Sequence, residues 1–525
     1  MNSNRKTIQF SKLNIKFVVS NLTTNFTANF TANFTTNLTA NLTTKKNWLL
    51  LLISLGTIFP NIIFAAPKSI VQLNIAKRPL VKNRPWESEK ISKQTHLGTV
   101  ITKDLILIKA LAIQDASNIN VQSFDGSKKY SAKIAHIDWE MNLAVVKVTD
   151  PDFSEHTTPA KLADEFEIGT ETTIWRRRSE TRLLAGKAQL FTVEHRRSQT
   201  GYNQNLIQLY QTQMTNLGWS EPLFSNNRLA GIAINQNKSY IDVIPSNSIK
   251  KFISSFKNNS SDSIPSLGIS FQKLTDPATR SWLNFPDSLS GVRVSKTLKD
   301  NDPDGLRLND IIIKINGTNI DNNGLYQHKK WDQVSLIHLI DIADKQEKID
   351  LLIWREQKQH QLSIKPRFFT SKDFPIVYKH HVDNPPYLIV GGFVFQEISE
   401  FFLHQWGNNW FDRAPTYLIN FYLNENSPSE DHKQIVISNI FKDSFNTGYE
   451  DVKLGVLDSI NSTKIKDLNH LIENLNKGKD NKFLVFTLRN TPGTIIFETA
   501  NISSANKRIQ KTYLLRKNLN FWPRD

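Results

Sequence analysis

V-Q-S-F-D-G-S-K-K-Y-S-A-K-I-A-H-I-D-W-E-M-N-L-A-V-V-K-V runs from Val121 to Val148. Asp125-Gly126 is a turn pair, and L-A-V-V-K-V (143–148) is a short apolar run of strand length. The same grammar continues upstream in I-N-V-Q-S-F (119–124), D-L-I-L-I-K-A-L-A-I (104–113) and G-T-V-I (98–101). Short apolar or alternating runs separated by turn signals predict an all-β barrel or sandwich.

The 525-residue chain is too long for one ordinary core, and about three domains are expected. Its formal net charge of +16 is unevenly placed. The first acidic residue is Glu87, and eleven Lys or Arg residues precede it. The body therefore carries 54 basic against 49 acidic residues, a net +5. A basic leader is not a basic groove, so no nucleic-acid partner is expected. The chain has no cysteine, which excludes structural disulfides, thiolate metal sites and a Cys nucleophile. No motif calls for a metal or a cofactor.

Residues 1–65 read as a leader. Asn21 to Thr44 is a repeated Asn-x-Thr-x tetrapeptide to which no function is assigned. Lys45-Lys46, the apolar run Trp48 to Phe59 and the small residues Ala65-Ala66 follow the order of a signal peptide. Export to a bacterial periplasm is expected, with an inner-membrane anchor if the segment stays uncleaved. Residues 66–90, with Pro67, Pro79 and Pro85, read as an extended arm. The polar linker after about residue 256 and a second break near 367–373 divide the rest into 91–257, 265–368 and 373–515.

The Val121–Val148 stretch, with its flanks G-T-V-I-T-K-D-L-I-L-I-K-A-L-A-I and E-P-L-F-S-N-N-R-L-A-G-I-A-I, resembles the protease domain of the Deg/HtrA serine proteases. The C-terminal half resembles the plant-type members with two PDZ modules, through P-S-L-G-I, P-P-Y-L-I-V-G-G-F-V-F and N-T-G-Y-E-D-V. The resemblance implies a mainly β protein with α+β modules: a trypsin-like double β-barrel, a PDZ domain and a second PDZ-like domain.

That family's catalysis uses a Ser hydroxyl, a His that takes its proton and a carboxylate that fixes the imidazole tautomer. Aligned with the family's L-T-N-A-H segment, the His position holds Leu111. In D-x-x-x-D-L-A-V the Asp position holds Asn142. In G-N-S-G-G-P-L the ungapped nucleophile position holds Trp219, followed by Ser220 and Glu221 in place of glycines. No catalytic residue is therefore assigned. Ser220 is the fallback nucleophile if the alignment slides by one residue, but a hydroxyl without a base is a poor nucleophile. His96, His136 and His195 are read as structural or surface histidines. Trp219 against Leu111 would make an apolar plug of the old cleft. The family's G-Y-P-type turn aligns with Trp175-Arg176-Arg177, a basic run read as a solvated loop.

The segment Leu267 to Lys365 resembles a PDZ domain, with Gly291, Val292, Arg293 and Val294 at the carboxylate loop and binding strand. In the second module Gly391, Gly392, Phe393 and Val394 take that place. A PDZ domain pairs an extended peptide with a free sheet edge, which requires backbone geometry and not a triad. The resemblance thus implies binding of polypeptide C-termini or unfolded proteins, trimers or hexamers, and an active Deg paralogue as a partner. The expected function is that of a catalytically degenerate scaffold, chaperone or regulator in envelope protein quality control. The alternative is an endopeptidase using Ser220 with a non-standard base.

Overall fold

In the computed structural model the described residues are 67–123, 126–179, 182–258, 264–297, 305–343, 348–368, 385–407, 409–424, 433–490 and 493–523. The leader with its repeat and signal segment, Asp125, the linker core 259–263 and the second break at 369–373 lie outside them.

The first domain opens with a closed six-stranded barrel. Its hydrogen-bonded order is Ile70–Lys77, Ser92–Val100, Leu105–Lys109, Leu143–Val148, Lys129–Asp138 and Ala116–Gln122, with the last pairing back to the first. The sequence run at 143–148 is apolar on both faces for a physical reason. Ala144, Val146 and Val148 fill the barrel, while Leu143 and Val145 point the other way into a core shared with the next sheet. Ile106 and Ile108 go inward and Leu107 outward in the same fashion. Period-two alternation here separates two apolar cores, not core from water.

The second sheet has seven strands, in the order Pro222–Ser225, Glu171–Ser179, Arg182–Arg197, Gln204–Thr212, Tyr240–Pro245, Arg228–Asn237 and Lys161–Leu162. An added pairing of Pro222–Ser225 with Arg228–Asn237 closes its long strands into a second barrel. Helix Ser246–Lys257 follows, burying Ile249 and Phe252 against the inter-barrel core.

Residues 67–90 are not a free arm. Ile70–Lys77 pairs along its whole length with Ser92–Val100. Pro67 and Pro79 lie outside that strand and flank it, and Pro85 lies in the next strand, Arg84–Ser88. Leu80–Val81 and Arg84–Ser88 then form a small hairpin. Its Trp86 packs on Tyr387 and Phe441 at ring distances of 4.8 and 6.0 Å, and Lys82 lies 4.7 Å over Phe401. The hairpin is thereby docked on the last module of the chain.

The first PDZ module is a sheet running Ile269–Lys273, Val292–Thr297, Ile311–Ile315, Ile349–Arg355 and Lys358–Ile364, with a short helix at Ile337–Asp341. The second has two four-stranded sheets. One runs Ile435–Ile440, Phe393–Glu397, Tyr387–Val390 and Phe521–Trp522. The other is built from Leu457–Ile460, Thr463–Lys464, Phe483–Leu488 and Thr494–Glu498. Helices Leu468–Lys477 and Ile502–Thr512 bury their leucine and isoleucine stripes against these sheets.

Candidate functional site

Three separated motifs meet where the two barrels join. Leu111 lies in the single helical turn Ala110–Ile113 that ends the strand Leu105–Lys109, and its N–H donates to Asn142 Oδ1 at 3.2 Å. Asn142 has φ +53°, a left-handed conformation that asparagine tolerates, and its carbonyl accepts from Ala110 N–H at 3.0 Å. Ser220 is fully buried at φ +71°, and its Oγ accepts the Lys109 N–H at 3.2 Å. Leu111, Asn142 and Ser220 are therefore brought to one place.

Trp219 does not plug that place against Leu111. It is 45 % exposed, with its ring 5.1 Å from His96 and its carbonyl accepting from Leu97 N–H. What enters the interior is the Lys109 side chain, whose ammonium donates to the Gly218 and Ile234 carbonyls. The physical reason is charge. Glu221 is buried, and an uncompensated carboxylate there would be costly, so a cation is drawn in. Burial pushes the Lys109 ammonium below its ordinary range, with Glu221 acting against that shift. Burial likewise pushes Glu221 up, opposed by hydrogen bonds and by Lys109.

The backbone donors of the loop are occupied from within. Glu221 Oε2 accepts from Gly218 N–H at 2.8 Å and from Trp219 N–H at 2.7 Å, and Gln236 Oε1 accepts from Leu217 N–H at 2.9 Å. Donors already satisfied by a carboxylate and an amide are not available to a developing oxyanion. The histidines are placed elsewhere. Burial, with Lys109 and Lys77 nearby, lowers His96 to about 3, which leaves it a very weak base. His136 packs on Phe252 and Phe256, and His195 faces the first PDZ module.

The first PDZ module corrects the expected binding strand. Val292, Arg293 and Val294 lie in a strand paired on one side with Ile269–Lys273 and on the other with Ile311–Ile315. A central strand has no free backbone to offer a peptide. Gly291 donates to Asn322 Oδ1, and a Cβ there would meet the Ile312 carbonyl at 2.4 Å, so this glycine serves close strand packing. Among the described residues the free edge is Ile269–Lys273, which pairs there only with Val292–Thr297. Between it and helix Ile337–Asp341 lies a cleft of about 390 Å³ lined by Leu267, Ile269, Phe271, Leu336, Ile337 and Ile340. Gly268, at φ +67°, turns the chain into that edge. The barrel hairpin supplies a polar wall from Arg197 and Tyr202–Gln204.

The second module is arranged differently. Gly391 and Gly392, at φ +56° and +94°, turn the chain between Tyr387–Val390 and Phe393–Glu397. The Gly391 N–H donates to Asn506 Oδ1, its carbonyl accepts from Asn446 Nδ2, and the Gly392 carbonyl accepts from Phe441 N–H. Phe393 and Val394 are fully buried. The outer edge of Tyr387–Val390 is covered by Phe521–Trp522 in parallel pairing, with Ile389 N–H donating to the Asn520 carbonyl at 2.8 Å. The four expected peptide-binding residues therefore face internal partners.

Comparison with known proteins agrees with this architecture. The PDZ domain family model matches residues 377–519. "Putative protease Do-like 3, mitochondrial" of Arabidopsis thaliana is 24% identical over 402 residues, covering 74% of this chain and 68% of that protein. "Protease Do-like 2, chloroplastic" of the same plant is 22% identical over 459 residues, covering 82% and 71%. These likenesses support the Deg/HtrA-type family. Among solved structures, "HtrA-type protease AlgW with decapeptide" aligns with a TM-score of 0.45 and 16% identity, over 58% of this chain and 97% of that one.

One residue passed over in the sequence ties barrel to groove. Glu140, two residues before Asn142, accepts at Oε2 from the N–H groups of Tyr202 and Asn203 and from Asn203 Nδ2, at 2.8, 3.0 and 3.0 Å. A Cβ on Gly201 would lie 2.4 Å from that oxygen, so the hairpin tip needs glycine there. Burial raises the Glu140 carboxyl to about 7 against the pull of these hydrogen bonds, and Asp138 adds to the rise. The signal in D-W-E-M-N was a carboxylate set in a loop between two barrel strands.

Proposed function

We propose that this chain is a pseudoprotease of the Deg/HtrA family that binds polypeptide C-termini or unfolded segments through its first PDZ module. It acts as a scaffold, chaperone or regulator in protein quality control of a bacterial envelope, to which its leader exports it. Assembly as trimers or hexamers, alone or with an active Deg paralogue, belongs to the same proposal. One observation carries the reading: at the barrel junction the hydroxyl of Ser220 is fully buried and the amides of Leu217, Gly218 and Trp219 are occupied, whereas the Ile269–Lys273 edge is open. Acyl transfer needs an accessible nucleophile, a base and free donors. Peptide capture needs a free edge beside an apolar cleft, which the first module has.

The test is a fluorophosphonate probe and a casein-cleavage assay on the full chain and on Ser220→Ala, beside fluorescence anisotropy with C-terminal peptides. No labelling and no cleavage are expected in either protein. Peptide binding is expected in both, and Ser220→Ala should lose about 1 kcal/mol of stability with the Lys109 N–H bond. Labelling of the native chain that disappears in Ser220→Ala would establish the endopeptidase reading instead. A native chain that binds neither C-terminal peptides nor unfolded polypeptide would refute the capture role.

A further inference from the structure

The second barrel and the first PDZ module meet at a seam of imidazoles. His195, on strand Arg182–Arg197, lies 6.0 Å ring to ring from His338 of helix Ile337–Asp341. His338 lies 5.3 Å from His328, which stacks on Trp331 at 4.5 Å. Hydrogen bonds pin this group to the barrel. Trp331 Nε1 donates to the Phe166 carbonyl at 2.8 Å, Lys330 Nζ donates to the Glu165 carbonyl at 3.2 Å, and Ile168 N–H donates to the Lys330 carbonyl at 3.4 Å.

The histidines are unequally satisfied. His338 Nδ1 bonds the Tyr326 hydroxyl, and His328 Nδ1 accepts from Lys330 N–H. Both ring nitrogens of His195 are buried and have no hydrogen-bond partner. The charged groups that face them come from every neighbouring element. Lys251, from helix Ser246–Lys257, pairs with Asp341 at 2.7 Å, and Lys330 lies 3.9 Å from the Glu165 carboxylate, which also accepts from Asn247 Nδ2. On His195's own strand Glu194 and Arg196 pair with each other, and Arg196 also pairs with Asp242. Asp341 and Glu165 thus already have cationic partners. A proton on His195 would sit beside the His338 imidazole in a desolvated seam.

We propose that the seam is an acid-released latch, in which protonation of His195 and His338 parts the first PDZ module from the second barrel. Burial holds both imidazoles at about 4 in the docked state, with His195 itself the second cause at His338 and Asp341 opposing at both. Once exposed they return to their ordinary value near 6.5. The docked form then binds fewer protons, so docking is full above about pH 6.5 and weakens as pH falls toward 4. Between pH 7 and pH 5 each imidazole weakens docking about twentyfold, and the two together about four-hundredfold. Release would also strip the groove of its barrel wall at Arg197 and Tyr202. The latch stands on the seam alone and does not depend on peptide capture.

Hydrogen exchange of the full chain reads the latch through the Ile168 amide, as an opening constant corrected for the intrinsic rate at each pH. This constant should rise about four-hundredfold from pH 7 to pH 5, and only about twentyfold in His195→Phe. The barrel-core amide of Val146 should keep its protection throughout, which separates undocking from unfolding. A rise below about tenfold in the native chain overturns the latch, as does a full rise that persists in His195→Phe, or a rise matched at Val146. The native titration decides the question by itself if the variant does not fold.

Discussion

The two PDZ modules of this chain put the same kind of strand to opposite uses. In the first, the strand after Gly268 is an open edge beside an apolar cleft, with a polar wall lent by a neighbouring domain. In the second, the strand before Gly391 is covered by Phe521–Trp522, and the turn amide and carbonyls are held by Asn506, Asn446 and Phe441. What distinguishes a binding module from a structural one is whether the chain itself completes the sheet. The glycine turn, present in both, does not decide it.

The contrast can be broken most forcefully from the covered side. Trp522→Ala removes a buried indole whose Nε1 donates to Asn476 Oδ1 at 2.8 Å. It should cost about 3–5 kcal/mol in chemical denaturation and strip exchange protection from the Ile389 amide. Full stability would mean that the covering strand is dispensable. On the open side, Ile337→Glu puts a carboxylate into the apolar cleft. A peptide bound by the native chain should lose at least about tenfold in affinity, roughly 1.4 kcal/mol, measured by anisotropy, while the second module's exchange protection stays unchanged. The smallest effect belongs to the borrowed wall. Gly201→Ala crowds Glu140 at the hairpin tip and should lower peptide affinity about threefold, or about 0.6 kcal/mol. Equal affinity would show that the barrel does not shape the groove.

Much of the fold was legible because alternation survives in short strands. Leu143–Val148 reads as a strand whether one face or both are buried. The barrel junction was legible only as an alignment of motifs, which located Leu111, Asn142 and Ser220 but not the inward lysine. Lys109 and Glu221 are both polar in the sequence, and their burial follows from a partnership formed only when distant segments of the chain come together, as the 109-residue separation of Lys109 and Gly218 illustrates. The position of the sheet edge was not legible for a related reason. Period two tells which face a side chain takes and says nothing of which strand lies outermost, so V-R-V and I-S-F read alike. The strand Ile70–Lys77 was hidden by its flanking prolines.

The small hairpin that carries Trp86 has a consequence for how the chain is made. Asn83 touches Ser438, 355 residues later. At ordinary rates of synthesis, about 5–20 residues per second, the hairpin leaves the ribosome on the order of half a minute before the surface it docks on exists. During that interval its tryptophan has no partner, and the first barrel must fold with an apolar appendage in solvent. The second PDZ module, made long after the hairpin, is therefore the one that ends the hairpin's exposure.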